Sequence, residues 1–144
     1  MTLSNPETTK IPAIVLGGTG YVSGELLRLI AGHPHFELAG ILSESQPGEP
    51  VARAFPHLAS AFAQTRFRSQ DEVDRLLAEL PHSAVFSAAP HRVAAGLIDA
   101  LLQTAARAKT RAHVVDISAD FRYESVRVLI DRLIGLRGLI AEVR

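Results

Sequence analysis

The chain has 144 residues, no cysteine, no tryptophan and a formal net charge of zero, with 47% hydrophobic and 21% charged residues. At about 100–200 residues per domain this is the length of one domain, and it is too apolar for a disordered chain. The absent cysteine excludes a disulfide scaffold, a thiolate metal site and a cysteine nucleophile within these residues, and the balanced charge speaks against a dedicated nucleic-acid binder.

Residues 1–10 are polar and contain Pro6, and they read as a flexible arm without the apolar core of a signal peptide. Ile11 to Leu16 is a short apolar run that ends in glycines, as a buried strand does. Tyr21 to His33 places Leu26, Leu27, Leu29 and Ile30 at helical spacing and stops at Gly32 and Pro34. Phe36 to Leu42 reads as a second strand. Ser43 to Ser60 carries Pro47, Gly48, Pro50 and Pro56 and reads mostly as loop. Thr65 to Arg68 reads as a weak third strand. Ser69 and Glu72 have the spacing of a capping box ahead of Val73, Leu76, Leu77 and Leu80, and Pro81 ends that helix. Ala84 to Ser87 is a very short fourth strand. Pro90 to Ala108 is an alanine-rich helix with Val93, Leu97, Ile98, Leu101 and Leu102 on one face. His113 to Ile117 is a fifth strand.

Apolar strands joined by helical crossovers, with no tight hairpin turns, predict an α/β fold with a doubly wound, Rossmann-like parallel sheet of strand order 3-2-1-4-5. After Tyr123 the residues Val126, Leu129, Ile130, Leu133, Leu136, Ile140 and Val143 share one helical stripe. This predicts an extra C-terminal amphipathic helix over 124–144, suited to packing on the sheet or to self-association as a homo-oligomer. No apolar run approaches the ~18–20 residues of a membrane span. A soluble, cytoplasmic protein is the expectation.

Gly17-Gly18-Thr19-Gly20-Tyr21-Val22-Ser23-Gly24 lies between the first strand and the first helix. Glycine there tolerates unusual backbone angles and removes the Cβ that would block a phosphate. The helix start adds free N–H groups and a partial positive charge. A dinucleotide pyrophosphate fits such a loop. The G-x-G-x-x-G pattern is imperfect, because position 23 is Ser23 and Gly24 comes one residue later. Residue 25 is Glu25, so there is no lysine for an ATP-hydrolysing loop.

The end of the second strand selects the cofactor. Glu44 favours NAD, because an acidic residue there bonds the ribose hydroxyls. Ser43 and Ser45 leave NADP open. Two further loops sit at carboxyl ends of strands, where open α/β sheets bind ligands. In Ser87-Ala88-Ala89-Pro90-His91-Arg92, small residues permit close approach, and His91 reads either as a contact or as a solvated helix-start residue. In Asp116-Ile117-Ser118-Ala119-Asp120-Phe121-Arg122, the two aspartates read either as a carboxylate pair or as a turn cap and a partner of Arg122. The six histidines are scattered, without metal-ligand spacing.

The loop GGTGYVSGELLRLIAGHP, the turn AAPH and the run VVDISADFRY occur in that order. Together they resemble the amino-terminal, NADP-binding half of the N-acetyl-γ-glutamyl-phosphate reductase family, within the semialdehyde dehydrogenase superfamily. The resemblance covers residues 11–123. It implies reduction of an acyl phosphate to an aldehyde with NADP in arginine biosynthesis. Gly17, Thr19, Gly20, Tyr21 and Val22 are then implied at the pyrophosphate. Ser43 and Ser45 are implied at the adenosine ribose phosphate, and Ala89, Pro90 and His91 at the nicotinamide side. Ser118 is implied near the junction with a substrate domain. The family also uses a cysteine nucleophile and a partner histidine from that second domain. With no cysteine, this polypeptide is expected to bind cofactor without turnover. The other readings are a degenerate Rossmann interaction module, with the tail helix as its interface, and a small enzyme of another type. The last lacks a visible Tyr-x-x-x-Lys or other acid–base pair.

Overall fold

A computed structural model of the chain describes residues 9–118; the first eight residues of the arm expected over 1–10 and the amphipathic tail expected over 124–144 lie outside the described residues. The elements are β1 (Ile11–Leu16), α1 (Tyr21–Ala31), β2 (Phe36–Leu42), a one-turn α2 (Val51–Ala54), a 3₁₀ turn (Pro56–Leu58), α3 (Gln70–Glu79), β3 (His82–Ser87), α4 (Ala94–Ala108) and β4 (Arg111–Asp116). The strands form one sheet of order β2-β1-β3-β4, and every pairing is parallel.

β1 is central, and Ala13, Ile14, Val15 and Leu16 are at most 1% exposed, which is why its sequence is apolar without alternation. One face of the sheet packs through Ala13, Val15 and Ile41 onto Leu27 and Ile30 of α1 and onto Val51, Phe55 and Phe67. The other face packs through Ile14, Leu16 and Val85 onto Val73 and Leu77 of α3 and Ile98, Leu101 and Ala105 of α4. Helices on both faces make the fold a doubly wound, Rossmann-like sandwich, as expected.

The helix ends follow local chemistry. Ser69 Oγ accepts from the Glu72 N–H at 3.4 Å, and the Glu72 carboxylate accepts from the Ser69 N–H at 2.8 Å, which completes the predicted capping box. That bond holds the Glu72 carboxyl below the usual carboxylate range. On α1 the Arg28 guanidinium does the same for Glu25. α4 ends where Lys109 adopts a left-handed backbone with φ +59°. It begins at Ala94, later than the predicted Pro90, because Arg92 has φ +70° and Pro90 to Val93 form a separate turn.

The expected third strand is corrected. Thr65 to Arg68 makes isolated bridges, Arg68 to Leu42 and Arg66 to Pro50, and lies beside β2. Its backbone is divided between two partners. The Arg68 N–H donates to the Ile41 carbonyl and the Arg68 carbonyl accepts from the Ser43 N–H, whereas Phe67 and Thr65 bond Glu49, Gly48 and Val51. No ladder long enough for a strand remains.

Candidate functional site

β1 runs into the glycine loop at the carboxyl edge of the sheet. β2 lies on one side of β1 and β3 on the other, so the chain reverses its direction of winding here. In open α/β sheets such a switch point leaves a crevice above the strand ends. The structure has that crevice, a cleft of about 280 Å³. Its floor is Gly17, Gly18, Thr19 and Gly20. One wall is Leu42, Ser43, Glu44 and Ser45 from the end of β2. The other is Ala88, Ala89 and Pro90 after β3, with Val93, the residue before α4, and Leu97 from its first turn.

The glycines of the loop have different causes. Gly17 has φ +83°, and a Cβ on it would lie 2.7 Å from the Ala88 carbonyl and from Ala89 Cα. A Cβ on Gly18 would lie 2.7 Å from the Leu42 oxygen, and the Gly18 N–H donates to that oxygen at 2.7 Å. Both glycines are required by the protein's own packing. Gly20 is not. Its backbone is extended, and a Cβ there would meet nothing nearer than the Gly17 oxygen at 3.6 Å. Gly20 therefore keeps space open at the mouth of the cleft, beside the first turn of α1.

Ser23 departs from the expected glycine pattern for a reason visible in the fold. It is fully buried, and its hydroxyl donates to the Gly17 carbonyl at 2.6 Å, tying the helix to the loop. Gly24 supplies the close approach instead, since a Cβ on it would lie 2.7 Å from the Phe55 ring. Replacing Ser23 by alanine leaves the Gly17 carbonyl short of a partner and is expected to cost about 1–2 kcal/mol. Urea titration of the variant checks this, and an unchanged midpoint would show that the bond contributes nothing.

Of the eleven residues singled out from the sequence, seven line this cleft: Gly17, Thr19, Gly20, Ser43, Ser45, Ala89 and Pro90. Ser43 is 3% exposed, and its hydroxyl accepts from the Gln46 N–H at 3.2 Å and faces the Ser45 hydroxyl at 3.4 Å. It serves the turn, while Ser45 is exposed. Tyr21 and Val22 start α1 outside the lining, 97% and 47% exposed. His91 is exposed beyond Pro90. Ser118 is buried and donates its hydroxyl to Asp116 at 2.6 Å, and its N–H bonds the same carboxylate. Asp116 is thus a turn cap, and Asp120 lies outside the described residues. Among the described residues there is no cluster of three or more histidines and carboxylates placed for a metal ion, and no helix long and apolar enough to cross a membrane.

A second, polar cleft of about 640 Å³ adjoins the first and shares Thr19 and Ser45 with it. Gln46, Pro47, Glu49, Arg53 and Ala54 complete its lining. Arg53 donates to the Glu49 carboxylate at 2.8 Å. Reading Ser43 to Ser60 as loop missed this cleft, because it depends on the short α2. Val93 and Leu97 were also missed as lining residues. Their helical spacing pointed to the core face, but the first turn of α4 overhangs the edge of the sheet.

A family model described as "Semialdehyde dehydrogenase, NAD binding domain" matches residues 12–141, a span that runs past Tyr123. Over 112 residues the chain is 42% identical to the N-acetyl-gamma-glutamyl-phosphate reductase of Nitrosococcus oceani, covering 78% of this chain and 30% of that protein. Over 130 residues it is 35% identical to the enzyme of the same name from Bordetella pertussis, covering 88% of this chain and 32% of that protein. The chain spans about a third of the length of these curated relatives. Among solved structures, aspartate semialdehyde dehydrogenase with NADP from Candida albicans superposes with a TM-score of 0.58 at 22% identity, over 81% of this chain and 32% of that one. A Rex-family repressor superposes at 0.56 with 15% identity, over 93% of this chain and 60% of that one. Both are likenesses of fold.

Proposed function

Because the chain belongs to the semialdehyde dehydrogenase NAD-binding domain family, we propose that it is the NADP-holding part of an N-acetyl-γ-glutamyl-phosphate reductase. The nucleotide-binding character follows from the family. NADP over NAD, and this acyl phosphate as substrate, are our reading. The observation that carries it is Gly20, a glycine whose missing side chain serves no contact within the protein and keeps the mouth of the cleft open.

The residues fit a dinucleotide. The backbone N–H groups of Tyr21 and Val22 open α1, where a helix end favours an anion, and Thr19 and the N-cap Gly20 lead into it, the Gly20 N–H donating to the Gly17 carbonyl at 3.3 Å. Gly17 shapes the turn beneath them. Ser43 and Ser45 belong at the adenosine ribose. Ala88, Ala89 and Pro90 form a smooth wall against which a flat ring system packs, with Val93 and Leu97 above it. On this reading His91, which follows Pro90, belongs at the nicotinamide side, and Ser118 at the junction with a substrate-binding region. When bound, the cofactor supplies the hydride that reduces an activated acyl group to an aldehyde. The chain's own share is to bind the cofactor, orient it and exclude water along the apolar wall. The nucleophile must come from outside these 144 residues, which hold no cysteine.

The test is spectroscopic. Added protein should shift the fluorescence of NADPH with saturation, while the acyl phosphate with NADPH should yield no aldehyde. Absence of any shift at millimolar NADPH removes the binding reading. NADPH oxidation that depends on the acyl phosphate shows instead that the chain contains chemistry assigned elsewhere.

A further inference from the structure

We infer that Arg53 reads the phosphate on the adenosine 2′ position, and that Glu49 opposes it, so that this pair sets the preference between NADPH and NADH. The inference rests on the dinucleotide reading of the main cleft. With the pyrophosphate on the glycine loop, the adenosine ribose stands at the end of β2, beside Ser43 to Ser45. A group added at the 2′ oxygen needs space next to that ribose. The polar cleft supplies it, since it meets the main cleft at Thr19 and Ser45.

Arg53 is the cationic residue among those lining this polar cleft. Its position is fixed by the fold. Val51 is fully buried and Phe55 nearly so, and both belong to the core on the α1 face of the sheet. The Val51 N–H donates to the Thr65 carbonyl at 3.0 Å, and the Phe55 N–H donates to the Val51 carbonyl at 2.9 Å. Arg53 lies between them in sequence and is exposed. A planar guanidinium with several donors suits a phosphate monoester, which offers three acceptor oxygens.

The obstacle is negative charge. Glu44 stands in the main cleft, and Glu49 already accepts from Arg53 at 2.8 Å. That pair is exposed, with 75% of the Arg53 side chain and 44% of the Glu49 side chain accessible. Exposed pairs at this spacing contribute little, so a doubly charged phosphate can displace the carboxylate. The guanidinium attracts only the phosphorylated cofactor, and Glu49 repels it. NADH, without the phosphate, is indifferent to both residues.

Titrations of NADPH and NADH by fluorescence, with the full chain, test this in two variants of opposite sign. Arg53→Gln should weaken NADPH about five- to tenfold and leave NADH unchanged. Glu49→Gln should tighten NADPH about two- to threefold and again leave NADH unchanged. The difference between the cofactors should shrink in high salt. If both variants keep the wild-type ratio of affinities, or weaken the two cofactors equally, the assignment of Arg53 and Glu49 is overturned while the dinucleotide reading stands. Wild-type protein that binds neither cofactor fails at the earlier step and takes the assignment with it.

Discussion

Replacing Gly20 by valine should abolish dinucleotide binding while lowering the stability of the folded domain by no more than about 1 kcal/mol. The backbone at Gly20 has φ −76° and ψ 161°, an extended conformation open to any residue. A Cβ would sit 3.6 Å from its nearest protein neighbour, the Gly17 oxygen, which is ordinary contact. Gly20 is also the residue that precedes α1, and its side-chain position makes no capping bond to lose. Exchanging glycine at such a position changes helix stability by only a few tenths of a kcal/mol to about 1 kcal/mol. The valine side chain would, however, stand in the mouth of the cleft, where the pyrophosphate must approach the first N–H groups of the helix. Affinity should fall at least about a hundredfold, roughly 2.7 kcal/mol. Calorimetric melting and NADPH titration of the same preparation separate the two effects. Unimpaired binding by the valine variant would mean that the anion is held somewhere other than this loop.

How far the sequence exposed this site follows from where the defining forces are local. β1 and α1 were legible because a strand buried on both faces must be apolar throughout, and the helix beside it must repeat its leucines with helical period. The capping box at Ser69 was legible because it is closed by residues only three positions apart. The glycine loop was legible as a loop, but not the separate reason for each glycine. Those reasons are contacts with Ala88, Leu42 and Phe55, which lie far along the chain. Ser23 read as a blemish in the pattern for a different cause: its partner, the Gly17 carbonyl, is only six residues away, but the bond depends on how the loop folds back on α1. The polar cleft at Arg53 was hidden altogether. It exists because Val51 and Phe55 reach the core from a proline-rich stretch, and burial of a single turn leaves too short a period to detect.

Gly17→Ala should produce the opposite pattern to the Gly20 variant, with stability failing first. Gly17 sits where β1 leaves the sheet, and its φ of +83° lies in the region that a side chain disfavours by about 1–2 kcal/mol. Space is also lacking. The new Cβ would stand 2.7 Å from the Ala88 carbonyl carbon and oxygen and from Ala89 Cα, all of them backbone. Those atoms cannot swing aside as a side chain can, because the Ala88 N–H is bonded to the Leu16 carbonyl at 2.9 Å. Relief requires parting the ends of β1 and β3, and overpacking of this kind costs about 1–3 kcal/mol. Together the two effects amount to about 3 kcal/mol, or roughly 10 °C in the melting temperature of a domain this size. Gly17→Asn separates the contributions. Asparagine tolerates positive φ better than alanine does, yet it carries the same Cβ. If steric contact with Ala88 dominates, asparagine should destabilise as much as alanine, and if backbone strain dominates it should recover part of the loss. A Gly17→Ala protein that melts with the wild type would mean that the loop can leave this conformation without penalty, and that its glycines are not what fixes the floor of the cleft.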